Sequence, residues 1–456
     1  MRGFARQVVF ALACAVVSSL SAAALTDDAS RPRYHYTPPK GNMIDVWGGV
    51  RYKGAWRLFY DLNRKGGKRL GGDFMQLETD DFIRWRELGC CLEPDVANGE
   101  DNLNDGAVII RDDGTPQVYY TADLCESGRP REHVALQCDG DMRRFTRMDA
   151  GKLTLANHGG PDYHPGWSDV WMFRAEGRRF MLISKCVRTD NGKAEIPIYE
   201  CPDESWTNWR YRGTFFDDNG EVINFAKVDG KWVLIFCPYG NPVYFVGTFD
   251  ASSARFAAEK KGVLSYGFSN QGGGAQGHPA ARGFYATALL PRGDGRLVIT
   301  AWIGGFINPE GWNGAIAMPR DLTLDAELNV RMWPVREFDS LRKDGRIVKD
   351  GSDVDARGGV FDLEIEFDGE AEVRVGKSLD IVSSGWQTTV NGLSIPSNGR
   401  KPEKLRILAD VSTVEVFLNN GESSLTCAIP MMREEERLKI SGNDVHGMCY
   451  GIGDCR

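Results

Sequence analysis

Short apolar and aromatic runs come in pairs around a glycine turn, and the pair recurs five times. Residues 49–52 and 56–60 flank Gly54, 107–110 and 117–120 flank Gly114, and 170–173 and 180–183 flank Gly177; 222–225 and 232–235 flank Gly230, and 287–290 and 297–299 flank Gly295. Runs of this length rich in Val, Ile, Phe, Tyr and Trp, punctuated by glycine, predict β-hairpins rather than helices. Four of the units continue into a stretch that begins with Asp and closes on an aromatic residue, at 81–85, 139–145, 203–209 and 250–256. A repeat of four short strands at such intervals is the pattern of propeller blades, whose stacked faces explain the aromatic content. After Gly351 alternating strands such as 361–367 and 414–418 continue without the Asp-to-aromatic tail. The pattern therefore predicts an all-β chain: a five-bladed β-propeller over residues 25–341 with the repeat itself within 34–337, a charged linker at 342–350, and a C-terminal β-sandwich over 351–456.

Within the repeat the acidic residues share one phase. Asp45, Asp105 and Glu221 each stand nine residues before their turn glycine and Asp169 stands eight before, while Ala286 holds the place in the fifth unit. The first strand of each blade lines a propeller's channel, so four carboxylates are expected to converge there. Clustered like charges repel and raise one another's pKa. One Asp in such a place reads most simply as a strand-entry residue; four in phase read as chemistry. Glycoside hydrolysis needs this arrangement, with one carboxyl protonated to serve the leaving oxygen and another ionised at the anomeric carbon.

Composition narrows the function without changing the fold. A net charge of −8 gives no electrostatic reason to expect nucleic acid or an anionic membrane as partner. Residues 1–24 read as an export signal, with Arg2 and Arg6 ahead of an apolar run from Val8 to Leu20 and Ala22-Ala23-Ala24 as a cleavage site; the mature chain is then expected to be secreted or periplasmic, without a membrane segment. Eleven cysteines allow disulfides in an exported chain, and Cys449 with Cys455 would close a small terminal loop. There is no CxxC or HExxH spacing, Gly272-Gly273-Gly274 is not followed by a phosphate-loop Lys, and Leu103 spoils a calcium loop at 101–106, so neither metal nor cofactor is expected.

At these acidic residues the chain resembles glycoside hydrolase family 32, the invertases, inulinases and levanases. Thr37-Pro38-Pro39-Lys40-Gly41 followed by Met43-Ile44-Asp45 is similar to the family's opening, Trp312-Asn313-Gly314-Ala315 through Pro319-Arg320-Asp321-Leu322-Thr323-Leu324 to the end of its propeller, and 405–410 with 412–417 to its sandwich. The resemblance implies Asp45 as nucleophile, Glu221 as acid/base, Asp169 as transition-state stabiliser, and a double displacement on fructofuranosidic bonds of sucrose or fructans. The motifs depart from the family, which surrounds its nucleophile with Asn, Pro and Asn where this chain has Ile44, Val46 and Trp47, and precedes its second Asp with Arg where this chain has Ser168. Glu200-Cys201-Pro202-Asp203 spells the family's third motif, but its phase puts Glu200 on an outer strand, and Glu221 has the channel phase. Asn63, Asn104, Asp105, Trp47, Trp167, Ser168 and Trp302 are the expected substrate-binding residues, Trp47, Trp167 and Trp171 as stacking platforms. A different furanosidase on the same propeller, acting with inversion, and a catalytically silent oligosaccharide- or polysaccharide-binding relative are the alternatives.

Overall fold

The computed structural model describes residues 28–456 except 64–71, 125–126, 271–280, 307–310, 398, 454 and 456. The expected leader lies outside the described residues, as does most of the glycine-rich insertion at 269–283. Among the described residues helix is limited to short 3₁₀ turns, and no helix is long and apolar enough to cross a membrane.

Five antiparallel sheets follow one another along the chain. Their innermost strands are Gly41–Tyr52, Asn102–Ile110, Ser168–Ala175, Glu221–Val228 and Ala281–Pro291. Each pairs across its glycine turn with the next strand, and the innermost strands touch one another in cyclic order, the fifth returning to the first. That ring is a β-propeller. It is latched where Trp312–Asn313 pairs in parallel with Gly41 and Asn42 of the first innermost strand. The Asp that opens each outer tail has a local cause: Asp81, Asp139, Asp203 and Asp250 each accept backbone amides from residues just ahead and so close the turn. The fifth sheet has the same device in Asp325, which takes the amides of Glu327 and Asn329.

The C-terminal part is a sandwich of two six-stranded sheets. The expected linker at 342–350 is wrong. Arg342–Lys349 is a strand paired antiparallel with His446–Ile452, and Arg342 is held by Asp362 and Glu364. It forms the edge of its sheet, where charge guards against pairing with other chains, and the charge run reads as a linker for that reason. The expected Cys449–Cys455 closure does not form, since Cys449 keeps its thiol.

Propeller and sandwich are joined by a fully buried ionic network. Glu415 accepts from Arg320 of the fifth blade, from the Met318 amide at 2.7 Å and from His35 Nε2 at 2.7 Å. Asp410 takes His35 Nδ1 at 2.9 Å and the backbone amides of Arg33, Tyr34 and His35. The stretch 405–417 is the sandwich's face toward the propeller, which accounts for carboxylates inside an otherwise apolar run. Burial opposes the His35 charge, yet Asp410 and Glu415 raise its pKa to about 9. Burial likewise opposes the Glu415 charge, and Arg320 and His35 hold it down at about 2. The raised His35 contributes stability that is complete below its unfolded pKa near 6.5 and is lost as pH rises through about 9. The depressed Glu415 contributes stability above about 4.5, lost as pH falls toward about 2. Thermal melting should therefore peak between about pH 4.5 and 6.5 for this network, and Glu415→Ala should destabilise by about 3–5 kcal/mol because the buried Arg320 loses its carboxylate and His35 keeps only Asp410. A Glu415→Ala melting temperature equal to wild type would contradict the role given to the network.

Candidate active site

Every innermost strand carries a register break at the same height. Pairing skips Asp45 between Ile44 and Val46, Asp105 between Asn104 and Gly106, and Asp169 between Ser168 and Val170. It skips Val222 and Ile223 after Glu221, and Ala286 between Tyr285 and Thr287. Asp45, Asp169, Val222 and Ala286 there adopt left-handed backbone, with φ of 42°, 57°, 52° and 49°. Such a conformation is costly for a residue with a Cβ, most of all β-branched Val222, and persists only where the surroundings enforce it. A bulge re-aims side chains that strict alternation would send elsewhere. The five breaks thus form a ring at one end of the channel, and Glu221 precedes its bulge where the three aspartates occupy theirs.

The carboxylates gathered there are not equivalent. Asp169 is saturated with donors. Its Oδ1 accepts from Ser168 Oγ at 2.8 Å; its Oδ2 accepts from the Val222 amide at 3.1 Å and Ser184 Oγ at 3.3 Å, and Lys185 Nζ lies 3.3 Å away. Burial works against its charge, but Lys185, the Val222 amide and Ser168 win and hold its carboxyl below the ordinary range. Glu221 accepts from Tyr285 Oη at 2.6 Å and from Lys185 Nζ at 3.2 Å, with the Tyr239 side chain close by. Burial nevertheless pushes Glu221 up, with Lys185 opposing and Asp169 adding. Asp45 is buried and its Oδ1 has no hydrogen-bond partner. Burial, then Glu221 and Asp169, raise its pKa well above the usual carboxylate value. One oxygen of Asp45 is therefore open for new chemistry; Asp169 is locked as an anion, and burial biases both Glu221 and Asp45 toward holding a proton.

The expected residues fall into three groups. Asp45, Asp169 and Glu221 come together. Asp105 joins them, buried with both carboxylate oxygens unpartnered and facing a small axial cavity that Trp47, Trp171, Asn224 and Thr287 also line. That cavity has room for about one water-sized occupant. Asn104, one residue ahead, leaves its Nδ2 buried without a partner; Asn63 is buried at the end of the strand Ala55–Asn63, opposite Asn42. The third group needs correction. Trp47 is wedged between Phe59 (ring centroids 4.8 Å) and Phe74 (4.5 Å) with Nε1 on Asp61, so no ring face is left for a sugar. Trp167 is enclosed by His133, His158 and Tyr163 and donates to the Arg131 carbonyl. Trp171 donates to the Phe225 carbonyl between blades. Trp302 is buried against Gly314. Ser168 is fully buried and spends its hydroxyl on Asp169, which makes it an orienting group for that carboxylate.

Glu200 lies on the strand Ala194–Cys201, away from the channel, bound by Arg178 at 2.7 Å through both oxygens and by Arg212 at 2.6 Å. The Arg178 hydrogen bond leads in lowering its pKa, so Glu200 is an anion and a poor proton donor. Lys185, Asp61, Tyr285 and Tyr239 were not among the expected residues. A cation ending the apolar run 180–184, beside the strand of Asp169, is the one signal the sequence offered for Lys185. Asp73, Cys90 and Glu93 bring ligand-type atoms within 4.8 Å of one another on the first sheet, but Glu93 is in solvent and nothing further marks a site.

The family model for the N-terminal domain of glycosyl hydrolases family 32 matches residues 35–334. The chain belongs to glycoside hydrolase family 32. It is a glycoside hydrolase, and the matched span contains Asp45, Asp169 and Glu221. The chain is 23% identical over 433 residues to the sucrose-6-phosphate hydrolase of Vibrio alginolyticus, covering 88% of this chain and 86% of that one. It is 22% identical over 459 residues to the sucrose-6-phosphate hydrolase of Bacillus subtilis strain 168, covering 88% of each. Among solved structures, sucrose-6-phosphate hydrolase from Lactobacillus gasseri superposes with a TM-score of 0.80 at 19% identity over 94% of both chains. Exo-inulinase from Aspergillus awamori does so at 0.75 and 18%, over 94% of this chain and 100% of that one. These family 32 structures share the propeller-plus-sandwich fold.

Proposed function

We propose that this enzyme is a β-fructofuranosidase that cleaves sucrose or fructans by double displacement. The observation that carries the reading is the division of labour among three buried carboxyls at one end of the channel: Asp169 saturated and ionised, Glu221 raised, Asp45 open at Oδ1. In this reading Asp45 attacks the anomeric carbon while Glu221 gives its proton to the departing oxygen; Glu221 then takes a proton from the water that releases the sugar. Asp169, kept ionised by its donors, offsets the positive charge that develops in the oxocarbenium-like transition state. Lys185, shared by Asp169 and Glu221, keeps two carboxylates at close quarters without mutual repulsion deciding both protonation states.

The proteins it resembles are named for sucrose 6-phosphate and inulin. Asp45, Asp61, Asp105, Asp169 and Glu221 are buried together around Lys185, which makes the site acidic and favours a neutral sugar over a phosphorylated one. The apolar neighbours of Asp45 favour, as second reading, another furanoside. We extend the proposal to an exported enzyme on the strength of residues 1–24. The experiment is product analysis on sucrose, sucrose 6-phosphate, inulin, levan and arabinan, with the anomer released first followed by NMR. Fructose released as the β-anomer from sucrose or a fructan is the expected result. Arabinose release alone, or release of the inverted anomer, would replace this reading by the second.

A further inference from the structure

Two phenols lie at Glu221, and they differ in what surrounds them. Tyr285 is fully buried, donates to Glu221 at 2.6 Å, and is stacked on Phe268 with ring centroids 4.1 Å apart. Tyr239 lies beside them, linked to Glu221 through Tyr285, yet 52% of its surface is in solvent. It stands on the connection between the strands Lys231–Cys237 and Val243–Asp250, in left-handed backbone at φ 59°, and its amide donates to Tyr285 Oη at 3.0 Å. A bulky residue kept in that conformation by a buried partner is held where it is against its own preference.

We propose that Tyr239 is the platform of the leaving-group subsite, taking the apolar C–H face of a hexose ring on its exposed face. This rests on the fructofuranosidase reading above. The acid must lie within hydrogen-bond reach of the glycosidic oxygen, so whatever is attached to that oxygen sits on the solvent side of Glu221. Tyr239, whose amide holds the Tyr285 hydroxyl on Glu221, is the exposed aromatic on that side. Trp47 and Trp167, the residues that composition suggested for stacking, have no free face. Tyr239 joins the two needs, since its amide fixes the phenol that orients the acid and its ring meets the group that the acid releases.

The test separates ring from hydroxyl. Wild type, Tyr239→Phe and Tyr239→Ala are compared on sucrose, whose leaving group is a pyranose, and on methyl β-D-fructofuranoside, whose leaving group is methanol. Going from Phe to Ala should cost roughly 3- to 10-fold in kcat/KM on sucrose, mainly through KM, the usual weight of one aromatic contact. The same step should cost distinctly less on the methyl glycoside. Tyr239→Phe against wild type should act on both substrates alike, since it removes only a hydroxyl near Glu221 and keeps the ring. Equal Phe-to-Ala losses on the two substrates, or none on sucrose, would overturn the platform. Tyr239→Leu supplies the same comparison where Tyr239→Ala melts early. Wild type inactive on both fructofuranosides would sink the underlying reading and this one with it, before any variant is made.

Discussion

Asp45→Asn should be inactive on every substrate, with a loss of at least about 10⁴-fold, and should melt at a higher temperature than wild type. The first half follows from the role of nucleophile: the covalent step needs a carboxylate whatever leaves, so an activated aryl fructofuranoside should not rescue it. The second half follows from burial. Asp45 has an unpartnered buried Oδ1 and a pKa raised well above the ordinary value by burial, Glu221 and Asp169. Its ionised form therefore costs stability in the folded state at every pH above its unfolded pKa of about 3.9, and the neutral amide does not. The gain in melting temperature should be present at pH 7 and fade below about pH 4, where both states of the wild-type carboxyl are protonated. Kinetics and melting on one preparation check both halves. Activity above about one per cent of wild type, in a protein free of contaminating hydrolase, would remove Asp45 from the nucleophile's role. Lost activity with lowered stability would mean that the side chain is structural.

The fold was legible because its repeat is written in residues with few alternatives. Turn glycines such as Gly54, Gly177 and Gly230 take left-handed φ of 92°, 75° and 87°, and the tail aspartates cap their own turns. Counting back from those glycines found three of the convergent carboxylates at their bulges and Glu221 beside its own. The bulges themselves were invisible, because one skipped residue leaves no compositional trace. Alternation alone cannot say that Val222, and not Glu221, takes the strained position in the fourth strand.

Other features were misread for physical reasons that particular residues make plain. Trp47 follows Asp45 by two and would share its face in a regular strand, but the bulge between Ile44 and Val46 turns it into the core against Phe59 and Phe74. Ser168 looked like a pocket hydroxyl and is a donor to Asp169. Lys185 and Tyr239 come from connections outside the innermost strands, where phase arguments do not reach, and only the tertiary fold brings Lys185 to Glu221 and Tyr239 to Tyr285. The charged run 342–350 was read by composition, whereas its partner strand lies a hundred residues on, at His446–Ile452.

Glu221→Gln against Glu200→Gln decides which of two motif-like glutamates is the acid. Glu221→Gln preserves shape and the Tyr285 contact but removes the titrating proton, and should cost on the order of 10²–10⁴ in kcat/KM on sucrose. The loss should shrink on an aryl fructofuranoside with a good leaving group, which needs little protonation. Wild-type activity should fall as pH rises through the pKa of Glu221, which burial has lifted above the usual carboxylate range and Lys185 partly restrains. Glu221→Gln should lose that alkaline limb, because nothing remains there to deprotonate. Glu200→Gln weakens partly exposed pairs with Arg178 and Arg212 on an outer strand. It should shift stability by no more than about 1 kcal/mol and leave the sucrose rate and its pH profile as in wild type. The opposite pattern, a silent Glu221→Gln beside a crippled Glu200→Gln, would return the role to the glutamate whose sequence matches the family and would require the third blade to turn its outer strand toward the channel.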